Sequence, residues 1–309
     1  LNSPALAAQL PPNHTRRRLI TGGVLLAAAG RLHAADARDA TAASQRVATL
    51  YQGATDIVVA LGVKPAAVVE SWSERPTYRY LRDALKGSLP LGLETQPSLE
   101  DLIYLRPTLI VGSRFRHARI EPLLARIAPT LMLDDVYDFR TGMREIGRAI
   151  GRSALADRLL AAFADRTAQL RTRLAASFGA RWPLTVSVLD FRDDHVRAYL
   201  ENSYSGLILG QLGFARMPVQ RGPTRVMEKL VSAEQIPVAD ADVFFVLQRS
   251  GSAQVQRTLR AWQAHPLWTT LRAPREGLVF PVDNVSWSLA GGFQTAHKVL
   301  DDVERVLLT

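Results

Sequence analysis

The chain has 309 residues, 47% hydrophobic and 22% charged, with a formal charge of +9 from 38 basic and 29 acidic residues. That length supports a large buried core in two domains or one bilobed unit, and the composition excludes an intrinsically disordered protein. The basic residues are scattered, with no run beyond Arg16-Arg17-Arg18 and no basic stripe interleaved with aromatics, which excludes a nucleic-acid-binding surface.

Residues 1–34 read as an export signal. A charged stretch, Thr15-Arg16-Arg17-Arg18, precedes a short Gly/Ala-diluted apolar segment and small residues around Ala34 and Ala35. Paired arginines before such a segment point to a twin-arginine type of signal peptide, an address read by a receptor. The apolar segment is too short to span a bilayer. Its removal takes away Arg16, Arg17, Arg18 and Arg31 and leaves a mature charge of +5. The chain contains no cysteine, so neither disulfides nor a lipid-bearing cysteine are expected. A free periplasmic monomer is the consistent expectation.

Residues 35–138 carry the first α/β pattern. Arg46–Tyr51 reads as a strand that passes through Gly53 into a helix over Thr55–Leu61, closed by Gly62. Further strands are expected at Ala66–Glu70, Leu109–Gly112 and Thr130–Leu133, with a helix over Ile120–Ile127. Short apolar strands alternating with helices predict a parallel sheet. Residues 139–180 hold no proline and place Leu155, Leu159, Leu160, Phe163 and Leu170 at helical spacing. A long connecting helix follows, with Gly142, Gly147 and Gly151 weakening its start and a bend expected near Gly151. Over residues 181–309 the pattern restarts: strands at Leu184–Asp190, Val243–Gln248 and Gly277–Val282, helices at Ser205–Leu212, Ala253–Ala264 and Gly291–Leu308. The predicted fold class is α/β, two Rossmann-like lobes joined by one long helix.

A repeated unit crosses both halves. Ser98-Leu-Glu100-Asp-Leu and the strand at Val111 recur, with the same spacing, as Ser232-Ala-Glu234-Gln-Ile and Phe245, each copy with a proline between (Pro107 and Pro237). Each serine is placed to cap a short helix, with Asp101 or Gln235 three residues on able to reach back. Glu100 and Glu234 then fall in the first turn, where a carboxylate offsets the helix dipole. A matched pair on two related lobes equally fits a partner gripped by both halves.

No phosphate loop, nucleophile elbow or helical His-Glu-x-x-His occurs in the chain, and the four histidines of the mature segment show no metal-ligand spacing. Polar and aromatic residues collect instead just after strand ends, where open α/β sheets bind ligands. They include Trp72 after Glu70, Arg116 and His117 after Gly112, Arg192 after Asp190, and Trp287 beyond Val282. Arg221 and Arg225 occupy the Gly/Pro-bearing loop 220–226. Arginine forks suit carboxylate ligands, and rings cover the carbons of a chelate. Arg116 and Arg192, one per lobe, form the leading pair; His117 is expected to support a ligand residue, and Trp287 fits packing as well as binding.

Gln96-Pro-Ser-Leu-Glu-Asp-Leu-Ile-Tyr-Leu-Arg-Pro-Thr-Leu-Ile-Val111, Ile127-Ala-Pro-Thr, Leu212-Gly-Phe214 and His265-Pro-Leu-Trp268 resemble the ferric-siderophore branch of ABC-transporter substrate-binding proteins, and within it the citrate-binding members. The resemblance covers about residues 45–305. It implies a class III periplasmic substrate-binding fold, no catalytic residue, and no resident cofactor or metal site, because iron arrives already chelated as the ferric siderophore. It further implies docking of Glu100 and Glu234 onto an ABC permease of the inner membrane, and ligand contacts from Arg116, His117, Arg192 and Trp287; Trp72, Tyr204 and Arg225, read from the residues themselves, complete the expected ligand-binding set. Ser288-Leu-Ala-Gly291 stands where citrate binders carry further arginine, so related carboxylate or mixed siderophores stay open. So does a haem or cobalamin receptor, with Tyr204 or His117 as axial ligand, and a secreted hydrolase using Ser205.

Overall fold

In the computed structural model, which describes residues 45–222, 225–249 and 252–308, the chain builds two separate sheets. The expected export signal lies outside the described residues. The first sheet holds β1 (Val47–Thr49), β2 (Ala67–Glu70), β3 (Leu89–Leu93), β4 (Gln96–Pro97), β5 (Leu109–Ser113) and β6 (Thr130–Leu133), in the order β4-β3-β2-β1-β5-β6. Every pairing is parallel except the β3–β4 hairpin. The strands β1 and β2 are nearly all apolar because helices cover both faces of a parallel sheet.

The second sheet holds β7 (Val186–Phe191), β8 (Val196–Tyr199), β9 (Met227–Leu230), β10 (Val243–Gln248) and β11 (Val279–Asp283), ordered β11-β10-β7-β8-β9. Here β7, β10 and β11 run parallel while β8 and β9 pair antiparallel, so this lobe is a mixed sheet and not the parallel one expected. The two additional strands escaped the sequence pattern because β8 alternates buried with partly exposed positions and β9 buries only Leu230, so neither carries a continuous apolar run.

The expected connecting helix is two helices. One covers Phe139–Ala149 and the next Ser153–Phe178, with Gly151 between them at φ +70°, a left-handed value that ends the first helix outright. The 26-residue second helix is about 39 Å long. It buries Ala156, Leu160, Phe163, Thr167, Leu170 and Leu174, a stripe spaced alternately by four and three residues. That stripe sits in one apolar core that takes Val47 and Ile57 from the first lobe, Val186 and Phe245 from the second, and Phe293 and Leu300 from the closing helix Phe293–Leu307. A shared core of this kind resists hinging, because separating the lobes would expose it.

The two copies of the repeat fold differently. Ser98 Oγ accepts the Asp101 N–H at 3.2 Å, but the Ser98 N–H is already donated to the Leu91 carbonyl, so no reciprocal cap forms. Ser232 makes the full capping box with Gln235, yet its segment Ala233–Ala239 is 3-10 helix with Pro237 inside. Glu100 and Glu234 both face solvent.

Candidate functional site: a cleft between the lobes

The order of strands places the site. In the first sheet β1 stands between β2 and β5, and in the second β7 stands between β10 and β8, so each lobe has a point where the chain switches direction across the sheet. Ligands bind beyond the strand ends at such points. Tyr51, Gln52 and Gly53 follow β1, and Arg192 follows β7; all four line one cavity of about 740 Å³ between the lobes.

The first lobe contributes Trp72, Glu94, Phe115, Arg116 and Tyr137. Arg116 lies on the single-turn helix Arg114–His117 directly after β5, and its Nε is 2.5 Å from Glu94 Oε1. The other Glu94 oxygen accepts the Trp72 indole N–H at 3.1 Å and the Gln52 backbone N–H at 3.3 Å. The Arg116 guanidinium also lies over the Trp72 ring, 4.9 Å from its centroid, and beside Phe115. Burial pushes the Glu94 carboxyl above its ordinary range, against the pull of Arg116 and the N–H donors. The carboxylate is therefore committed to holding Arg116 in place.

The second lobe supplies three more arginines. Asp190, wholly buried near the end of β7, accepts Arg192 Nε at 2.8 Å and Arg249 Nε at 2.7 Å, with the Tyr199 hydroxyl at 3.3 Å. Arg197 pairs opposite Asp190 in the antiparallel β7–β8 register and donates its Nε to His195 Nε2 at 3.2 Å. All three arginines line the cavity. Four guanidinium groups thus face two carboxylates, leaving the cleft with a net positive lining and arginine forks pre-set by fixed partners.

Of the residues singled out in the sequence, Trp72, Arg116 and Arg192 line this cavity together. Others stand elsewhere. His117 is fully buried: its Nδ1 accepts the Ser113 N–H at 3.1 Å and its Nε2 reaches the Glu94 carbonyl at 2.8 Å. Burial lowers its pKa, so it is a neutral imidazole pinning the β3–β4 turn to the end of β5, and it does not face the cavity. Arg225 is exposed, paired with Glu228 and off the wall, while its neighbours Val226 and Met227 line it. Trp287 lines the cavity but is fully buried, packed on Phe245 at 4.6 Å and donating its indole N–H to Asp302 at 2.9 Å. Tyr204 also lines the cavity, but its hydroxyl is given to the Gly292 carbonyl at 2.6 Å. With Tyr204 and His117 so engaged, neither presents an axial ligand for haem. Ser205 is buried on the wall, and no histidine hydrogen bond reaches it among the described residues.

Sequence reasoning missed Glu94, Tyr137, Arg197, Tyr199 and Arg249. Arg249 follows the correctly expected strand Val243–Gln248, so the strand-end rule could have found it. Glu94 and Arg197 belong to a hairpin turn and a strand that carried no pattern. Among the described residues, no group of three or more His, Cys, Asp and Glu gathers as metal ligands, and no helix is long and apolar enough to cross a membrane.

Known proteins share this fold and sequence. The achromobactin-binding periplasmic protein of Dickeya dadantii (strain 3937) is 53% identical over 262 residues, 85% of this chain and 86% of that protein. The crystal structure of Staphylococcus aureus SirA complexed with staphyloferrin B superposes with a TM-score of 0.82 at 36% identity, covering 85% of this chain and 93% of that one. The Fe(3+) dicitrate-binding periplasmic protein FecB of Escherichia coli (strain K12) is 25% identical, covering 85% of this chain and 84% of that protein, so the expected leaning toward citrate binders is the weaker likeness. The periplasmic binding protein profile matches residues 47–285. With most of its length matched and its two α/β lobes in place, the chain belongs to the periplasmic binding protein family.

Proposed function

We propose that this protein is a periplasmic receptor that holds an anionic ferric siderophore of the carboxylate type between its lobes and delivers it to an ABC permease for iron uptake. The observation that carries this reading is the convergence of Arg116, Arg192, Arg197 and Arg249 on one cavity of about 740 Å³. That volume suits a chelate-sized ligand, and exposed rings at Trp72 and Phe115 are placed to cover its carbons. Iron enters as cargo, already enclosed by chelator oxygens, so the protein has only to match the outer charge. An ion pair near 4 Å is worth about 4 kcal/mol at an effective dielectric near 20 before desolvation is subtracted. Several such pairs select an anionic complex over a neutral or cationic one. The 53% identical achromobactin-binding relative and the staphyloferrin B complex of SirA support a siderophore over bare metal.

Titration of tryptophan fluorescence with ferric achromobactin, ferric staphyloferrin B, ferric citrate, the iron-free chelators and a cationic ferric hydroxamate tests the proposal. Saturable binding of an anionic ferric complex is expected. Equal binding of the cationic hydroxamate would refute the charge-selection argument.

Delivery is assigned to Glu100 and Glu234, exposed at matching places on the two lobes. The double substitution Glu100→Arg/Glu234→Arg is expected to abolish siderophore-dependent uptake while leaving affinity unchanged. A loss of affinity in that variant would overturn the docking role.

A further inference from the structure

A second trough lies on the other face of the helix that borders the cleft. In the helix Tyr204–Gln211, Tyr204 and Ser205 line the cleft, while Gly206, Leu207, Gly210 and Gln211 line a separate open trough of about 490 Å³. At 100° per residue Gly206 and Gly210 point away from Tyr204 and Ser205, while Leu207 and Gln211 lie on the flank between the two. Arg140, Arg216 and Arg221 converge on this trough with a single carboxylate, Glu201.

Arg216 is its unusual member. Its residue is 6% exposed, and its Nη1 donates to the carbonyls of Val186 at 3.1 Å and Tyr199 at 3.2 Å. Its Nη2 is buried and has no hydrogen-bond partner. No carboxylate lies within ion-pair distance of Arg216 or Arg221 among the described residues. Glu201 favours the charged form of Arg216 from farther off, but its Oε1 accepts the Gly222 N–H at 2.8 Å. Burial pulls the Arg216 pKa down to about 10, so the guanidinium stays charged at neutral pH. A buried cation with an orphaned N–H is unfavourable unless something completes its shell. Arg221 Nε donates to the Arg216 carbonyl at 3.0 Å, which ties the two arginines together, while Arg140 is held by Asp138 at 2.6 Å.

We propose that this trough is a second ligand site, distinct from the siderophore cleft, that takes a small oxyanion of the phosphate or sulfate class between Arg216, Arg221 and Arg140. The anion's oxygens would accept the outer N–H groups of Arg221, and a small turn of the Arg216 guanidinium, whose Nη2 is buried in this structure, would bring that orphaned N–H to them. Three guanidinium groups against Glu201 and the Asp138 partner of Arg140 leave one net positive charge at the trough, enough to attract an oxyanion. The trough is larger than one such ion, leaving space for its hydration waters.

The test uses the whole protein, with sodium phosphate and sodium sulfate each compared with sodium chloride at equal ionic strength, by calorimetric titration and thermal unfolding. Saturable heat and a raised Tm with phosphate or sulfate are expected, with at least a tenfold loss of affinity in Arg221→Gln, whose fold is checked by its Tm in chloride. Arg192→Gln, in the cleft, is expected to leave phosphate binding unchanged. Arg216→Met is expected to remove the phosphate-dependent rise in Tm. A chloride response equal to that of phosphate would overturn the proposal. So would a phosphate response lost in Arg192→Gln and kept in Arg221→Gln, which would place the ion in the cleft; neither result bears on siderophore binding itself.

Discussion

Replacing Asp56 with asparagine probes how the floor of the cleft is tied together. Asp56 is buried on the helix Gln52–Ala60, whose first residues line the cleft, and faces the start of the closing helix Phe293–Leu307. Its Oδ1 accepts the Gln294 N–H at 2.8 Å and its Oδ2 the Tyr80 hydroxyl at 2.7 Å. Burial outweighs these donors and raises the carboxyl pKa from 3.8 to about 6. The folded chain therefore binds more protons than the unfolded chain between those two values. Stability attributable to Asp56 is complete below about pH 4 and is lost as pH rises through about 6. About two pH units separate the values, so at pH 7 the charged form costs roughly 3 kcal/mol at 1.36 kcal/mol per unit. An asparagine side chain at this position keeps an acceptor for the Gln294 N–H and can donate to the Tyr80 oxygen without carrying charge. Asp56→Asn should then raise Tm at pH 7.5 by about 5–10 °C, with the gain shrinking toward zero near pH 4. Differential scanning calorimetry of both proteins from pH 4 to 8 reads the difference curve. A variant that is less stable at every pH, or more stable by a pH-independent amount, would refute the argument from burial.

Single substitutions Arg192→Gln, Arg197→Gln and Arg249→Gln should each weaken the ferric siderophore by about 10- to 100-fold, equivalent to ~1.4–2.8 kcal/mol, while Arg225→Gln should leave affinity unchanged because that side chain is off the wall; fluorescence titration decides. Gly292→Ala would put a Cβ about 2.2 Å from the Asp56 carboxyl, so a loss of at least ~2 kcal/mol is expected in urea unfolding, and wild-type stability would show that the two helices can separate freely. The buried neutral His117 has its pKa lowered by burial, so its share of stability is present above the unfolded value near 6.5 and erodes as pH falls below it. His117→Gln should flatten that acid limb of the wild-type stability curve, and an unchanged limb would remove the role assigned to the imidazole.

Much of the architecture was legible because it is written in short-range pattern. The strands Thr130–Leu133 and Val243–Gln248 were expected at their observed bounds, since continuous apolar runs between turn residues mark buried parallel strands. The serine caps at Ser98 and Ser232 were readable for a similar reason, a cap needing only its own next three residues. The break at Gly151 was visible as a weak point, but that it ends one helix and starts another rests on the packing of Ala156 against Gly147.

The sequence by itself determined the class of fold, the exposed pair Glu100 and Glu234, and Arg116 and Arg192 at the ends of two recognisable strands. Tertiary structure alone decided which arginines meet. Arg197 reaches the cleft only because β8 runs antiparallel to β7 and sets it opposite Asp190. Glu94 holds Arg116 only because the β3–β4 hairpin lies beside the end of β5, pinned there by His117. The orphaned N–H of Arg216 arises from burial against β7 and β8, of which a lone arginine between Phe214-Ala215 and Met217-Pro218 gives no sign. Caps and apolar periods depend on residues within one turn or one strand, whereas convergence depends on sheet order and register, which are set by the packing of segments far apart in the chain.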